Sequence, residues 1–162
     1  MPNIASQSRE SMTVTSISTP PLPESTTELL TWISIRIEKA IFLPPSTMHS
    51  CTALCGSGPA FFTLMLAATT DGAVEIGLPR EEAQKMAAQT MRGAADLILL
   101  GEHPALLRDK VSTLGGCRIG GLLVFEEERV NGTVAIALRE AKVVAGSSEG
   151  ELWGLRGRGC KC

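Results

Sequence analysis

The stretch GPAFFTLMLAATTDGAVEIGLPREEAQKM, residues 58–86, contains two helix starts separated by one break. A first helix is predicted from the opening Gly-Pro pair to about Gly77, because apolar residues recur there at helical spacing. Pro79 suits the first position of a second helix, and Glu81 and Glu82 suit the positive end of its dipole. The stretch therefore predicts two successive helices joined by a short turn, and a mainly helical fold.

The helical pattern continues to about residue 145. The second helix is predicted to stop near Gly101, and the later predicted helices cover 104–110, about 119–127 and about 131–145. We expect His103 to cap the first of these, because it stands where first-turn N–H groups need an acceptor. The helices are rich in Ala, Gly, Leu and Met and have few polar positions for an outer face. This composition predicts an interleaved oligomer.

The first 45 residues have a different pattern. A short strand is predicted in SMTVTSIS (11–18), a helix in TTELLTWISIRIEKA (26–40) and a second strand in IFLPP (41–45). This is half of an α/β unit, so we expect both strands to lack parallel neighbours and to expose unpaired edges. Residues 147–162 show no period and many glycines, and are predicted to be disordered.

Composition limits the function classes. The 162 residues carry a net charge of −2 and 4% aromatic residues without Tyr, which gives no reason to expect nucleic acid or an anionic membrane as partner. We expect no apolar run long enough to span a bilayer and no secretory signal. Five cysteines without an export signal favour reduced thiols. The sequence therefore predicts a soluble cytoplasmic protein.

A glycine-rich loop, VSTLGGCRIGG at 111–121, lies between two predicted helices. Backbone N–H groups of such a turn, ahead of a helix, can hold an anion. No G-x-G-x-x-G follows a strand, so the dinucleotide fingerprint is missing from this sequence. His49, Cys51 and Cys55 match no zinc spacing, and no metal site is predicted. Ser57 lacks the context of a nucleophilic serine, and a packing role is favoured for its turn.

Five segments together resemble the helical domain of pyrroline-5-carboxylate reductases, with the character of fungal members. In order they are CTALCGSGPAFF, DGAVEIGLPREEA, MAAQTMRGAA, GEHPALLRDKVST and GGCRIGGLLVFEE, and MPNIASQSRESMTV resembles the end of that family's nucleotide domain. The resemblance implies a mostly α fold, namely a helical dimerisation domain preceded by a short α/β remnant of a Rossmann domain. It divides the chain into a nucleotide-domain remnant (1–45), a helical dimerisation and substrate domain (46–146) and a tail (147–162).

The resemblance also implies a reaction, the reduction of Δ1-pyrroline-5-carboxylate to L-proline by hydride from NADPH or NADH. The chemistry needs a bound nicotinamide, a cradle for the substrate carboxylate and a hydrogen-bond partner for the imine nitrogen. Asn3 is a weak remnant of the cofactor site. The expected partner is a second copy in a homodimer or higher oligomer, or a full-length reductase in a mixed one.

The carboxylate cradle is partly kept and the imine partner is replaced. The positions that match the family's carboxylate-binding loop are Thr113, Gly115, Gly116 and Cys117, with Leu114 in place of the usual Pro. Arg118 stands at the family's catalytic Thr position. A fixed cation about 4 Å from a protonated imine disfavours it by about 1 to 4 kcal/mol. In the alternative interpretation, Arg118 binds the substrate carboxylate through two hydrogen bonds and changes the substrate specificity.

Three hypotheses for function follow. The chain is part of a reductase of pyrroline-5-carboxylate or a related cyclic imine, with activity impaired or absent as it stands. Alternatively, it is a truncated and inactive paralogue that acts through dimerisation. A third hypothesis is a degenerate reading frame without a selected function.

Overall fold

The computed structural model describes residues 1–37, 39–112 and 116–147 of the chain. These residues form two compact units. The first unit contains the described residues of Met1–Ala60 and those from Ala135 to Ser147, and the second contains the described residues of Phe61–Val134. The predicted tail, 147–162, lies outside the described residues apart from Ser147.

The first unit begins with a β–α–β arrangement. Strand β1 (Met12–Ser16) and strand β2 (Lys39–Leu43) are joined by helix α1 (Glu24–Ile37) and pair in parallel, with Val14 opposite Ile41. The expectation that these strands lack parallel neighbours was therefore wrong. A helical crossover between two parallel strands lets each strand pair with the other.

A series of helical turns follows β2 and precedes the helix start predicted at residue 58. They are a 3-10 turn at Pro45–Thr47, helix α2 at Met48–Cys51 and a π-helical turn at Thr52–Gly56. In the π turn, the Ser57 N–H donates to the Thr52 carbonyl at 3.0 Å, five residues back. These turns were not predicted, because Ser, Thr and Cys have modest helix propensity.

The remaining helices confirm the predicted series and the mostly α fold class. They are α3 (Gly58–Glu75), α4 (Arg80–Leu99), α5 (Pro104–Val111), α6 (Cys117–Glu127) and α7 (Val130–Gly146). The cap predicted at His103 is confirmed, because its Nδ1 accepts the Ala105 N–H at 3.3 Å. Pro79 is the cap residue before α4 rather than its first residue, and α6 begins two residues earlier than expected.

Few apolar side chains are buried among the described residues. Val14, Cys51, Ala53 and Ala83 are buried, whereas many Leu, Ile, Val and Phe side chains of the helices are exposed. The helical stretch Pro45–Glu75 is long and apolar enough to cross a bilayer by length and composition alone, which corrects the expectation from the sequence. One such helix is weak evidence for a membrane, since apolar helices that pack in soluble proteins meet the same criterion.

The turn between α6 and α7 places Arg129 in the left-handed region, at φ 54°. A side chain with a Cβ costs about 1 kcal/mol or more in this region, whereas glycine adopts it without strain. We expect Arg129→Gly to raise the free energy of unfolding by about 1 kcal/mol in urea titrations.

The matched control for this prediction is Arg139→Gly inside α7, where glycine lowers stability by about 1 kcal/mol. Opposite signs for the two changes are expected. Destabilisation by both substitutions would contradict the assignment of strain to Arg129.

Candidate functional site

The described part of the glycine-rich loop leads directly into α6. Gly116 is the half-buried cap residue before the helix, and Cys117 and Arg118 occupy its exposed first turn. The other loop positions named from the sequence, Thr113, Leu114 and Gly115, lie outside the described residues. Because first-turn N–H groups lack helical acceptors, the start of α6 has the backbone chemistry that a carboxylate cradle needs.

Arg118 binds the other end of the same loop. Its Nη1 donates to the carbonyl of Val111 at 2.8 Å, and Val111 is the last residue of α5. The last carbonyls of a helix lack intrahelical donors and carry partial negative charge, so a guanidinium stabilises them. The side chain therefore joins the end of α5 to the beginning of α6 and places a cation beside these two helix ends.

The end of α5 is held by further polar contacts. The Ser112 hydroxyl donates to the Arg108 carbonyl at 2.8 Å, and the Ser112 N–H donates to the Asp109 carbonyl at 3.1 Å. Arg108 Nη1 lies 3.9 Å from Glu126 Oε1 of α6, an exposed pair that contributes little to stability. Ser112 was not singled out from the sequence, although a hydroxyl residue just after a helix is a recognisable signal for such bonding.

Asn3, the weak cofactor candidate, makes two side-chain contacts within the first unit. Its Oδ1 accepts the Ala5 N–H at 2.8 Å, and its Nδ2 donates to the Cys55 carbonyl at 2.8 Å. An amide has two N–H groups, so these contacts leave at most one N–H for a nucleotide. The contact with Cys55 was not predicted from the sequence.

The cysteines near the π turn are poorly suited to metal or nucleophilic chemistry. Cys51 is buried, and burial raises the pKa of the half-buried Cys55 thiol, with a smaller contribution from the nearby Cys51. A thiol with a raised pKa is protonated at neutral pH and is a weak ligand and nucleophile. No cluster of three His, Cys, Asp or Glu side chains suitable for a metal occurs within the described ranges.

Known proteins share both the sequence and the fold. Residues 45–147 match the family described as pyrroline-5-carboxylate reductase dimerisation. The chain is 66% identical over 145 residues to a pyrroline-5-carboxylate reductase of Lophium arboricola and 64% identical over 145 residues to that of Neurospora crassa. These matches cover 90% of this chain but only 45% and 44% of the two relatives, so the chain spans less than half of their length.

A solved structure shows the same fold. The pyrroline carboxylate reductase of Plasmodium falciparum, determined with NADP bound, superposes with a TM-score of 0.83 at 24% identity over 90% of this chain and 59% of that one. This likeness shows the fold, in which a helical domain follows a short β–α–β segment. The chain belongs to the pyrroline-5-carboxylate reductase dimerisation family, which confirms the resemblance noted in the sequence.

Proposed function

We propose that the chain is the dimerisation and substrate-binding part of a reductase that converts Δ1-pyrroline-5-carboxylate to L-proline. The observation that carries this proposal is the family match over 45–147, which includes the whole glycine-rich loop. A bound nicotinamide nucleotide would supply the hydride that reduces the protonated C=N bond to the amine of proline. A nucleotide-binding region must accompany the chain, because the dinucleotide fingerprint is missing from its sequence.

In this proposal the loop holds the substrate carboxylate. The contributing groups are the hydroxyl of Thr113 and the backbone N–H groups of Gly115, Gly116 and Cys117. The chemistry of the described portion supports this role, since Gly116 and Cys117 form the start of α6. Arg118 occupies the position of the group that hydrogen-bonds the imine. It impairs catalysis there because a guanidinium donates only and carries a fixed charge.

We propose that the chain is organised as 1–45, 46–146 and 147–162, corresponding to a nucleotide-domain remnant, the helical domain and a tail. The functional form is a homodimer or higher oligomer in the cytoplasm, without a nucleic-acid or membrane partner. The exposed apolar side chains of α4 and α5 support self-association, because a large apolar surface in contact with water is unfavourable and is typical of an interaction site.

A second candidate function follows from the same surface. A chain that keeps the dimerisation helices but lacks the dinucleotide fingerprint can pair with a complete reductase and form a mixed dimer with no catalysis at one site. Arg118 favours this candidate because it removes the imine partner. Reduction of a related cyclic imine in a specialised pathway is a further alternative, in which Arg118 binds the substrate carboxylate.

Nucleotide binding gives a direct test. We expect the 162-residue chain alone to show no saturable quenching of tryptophan fluorescence by NADPH at micromolar concentration, because its sequence lacks the dinucleotide fingerprint. A chimaera that carries the nucleotide domain of the Neurospora crassa relative is the positive control and should show saturable quenching. Saturable binding by the 162-residue chain itself would contradict the proposal that a nucleotide-binding region must be added.

A further inference from the structure

The proline that opens α3 leaves a carbonyl in the preceding turn without its usual helical donor. In an α-helix the carbonyl of Cys55 would accept from the N–H of residue 59, but Pro59 has no N–H. The turn that contains this carbonyl is the π-helical segment Thr52–Gly56. An unsatisfied backbone carbonyl away from water is costly, so this position favours a donor from elsewhere in the chain.

Asn3 supplies that donor from more than fifty residues away. Its Nδ2 lies 2.8 Å from the Cys55 carbonyl oxygen, while its Oδ1 caps the 3-10 turn Ile4–Ser8 through the Ala5 N–H. The two contacts use opposite ends of the amide and therefore fix its orientation. A flipped amide would place its oxygen against the Cys55 carbonyl and its NH₂ group against the Ala5 N–H. The side chain is thus matched to both neighbours.

The segment that carries Asn3 is itself anchored on β1. The Met1 amino group donates to the Val14 carbonyl at 2.7 Å and the Val14 N–H donates back to the Met1 carbonyl at 3.3 Å. The Asn3 N–H donates to the hydroxyl of Ser11, which is 1% exposed. Because the backbone around Asn3 is fixed to the strand, the amide is presented to the π turn by a rigid support.

We propose that Asn3 is a positioning residue that replaces the N–H missing at Pro59. It thereby holds the π turn Thr52–Gly56 against the segment that carries Asn3 and is hydrogen-bonded to β1. This role goes beyond the proposed reductase function and does not depend on it. It predicts energetic coupling between residues 3 and 59, because Asn3 matters only as long as position 59 cannot donate to Cys55.

The test is a double-mutant cycle on the full chain with Asn3→Asp and Pro59→Ala. Asn3→Asp keeps an oxygen for the Ala5 N–H but turns a second oxygen toward the Cys55 carbonyl. We expect the hydrogen-exchange rate of the Ser57 amide, which closes the π turn, to rise about tenfold. In the Pro59→Ala background the restored N–H satisfies Cys55, and the effect of Asn3→Ser, which removes the amide donor without adding a repulsive oxygen, should fall to about twofold or less.

Asn3→Ser is the matched control, since serine also caps a helical turn but has no amide donor. It should reproduce most of the increase in exchange without adding a charge, and it serves in place of Asn3→Asp if that variant does not fold. Equal effects of Asn3→Ser in both backgrounds would overturn the proposal and reduce Asn3 to a cap for residues 4–8. An unchanged exchange rate at Ser57 in every variant would overturn it as well.

Discussion

Arg118→Thr is expected to raise turnover by about 5-fold to 1000-fold once the chain is joined to a nucleotide domain. The test protein is a chimaera in which residues 1–145 replace the matching part of the Neurospora crassa relative, to which the chain is 64% identical over 145 residues. Arg118 lies in the first turn of α6, beside the proposed carboxylate cradle. In the proposed site, a fixed cation would oppose protonation of the imine, and the larger side chain would fill space that a five-membered ring needs.

The loss of the bond to Val111 works against this gain. Arg118 Nη1 stabilises the end of α5, and its removal costs about 1 kcal/mol of stability. Turnover and the urea midpoint should therefore move in opposite directions in Arg118→Thr. Arg118→Lys keeps the charge and is expected to show no gain in turnover. Equal turnover of the chimaera with Arg and with Thr at position 118 would contradict the role assigned to this side chain.

The helical series was predictable because its start and stop signals are local. Pro104 and the acceptor nitrogen of His103 mark the beginning of α5. Apolar residues at helical spacing predict α4 from just after Pro79 almost to Gly101. The turns at 45–56 were missed, because their Ser, Thr and Cys residues have little intrinsic preference and the π turn depends on packing.

The contacts of the site were less predictable than its positions. The resemblance directed attention to Arg118, but its bond to Val111 depends on how the loop returns the chain, which no spacing rule fixes. The contact between Asn3 and Cys55 joins residues that are distant in sequence. The missing donor at the Cys55 carbonyl was predictable from the sequence, since a proline four residues after a helical position removes the N–H that would bond to that carbonyl. The identity of the replacement donor required the fold.

An apolar groove lies between α4 and α5. The groove has a volume of about 600 Å³ and is lined mainly by apolar side chains, including Leu97, Ile98, Leu107 and Val111. Leu97 remains 43% exposed in the single chain. Burial of such surface against a second copy is the main source of free energy available for a dimer, because apolar area removed from water contributes about 25 cal/mol per Å².

Leu97→Glu is therefore expected to weaken self-association by about 100-fold, since a carboxylate desolvated in an apolar interface without a partner is strongly unfavourable. Sedimentation velocity over a concentration series measures the shift from dimer to monomer. Lys85→Glu is the control, because Lys85 pairs with Glu81 on an exposed polar surface of the same helix. This change alters the charge more than Leu97→Glu does, yet it should leave the dimer constant nearly unchanged. If both variants dissociate equally, net charge rather than the groove governs assembly, and if neither dissociates, the dimer forms through another surface.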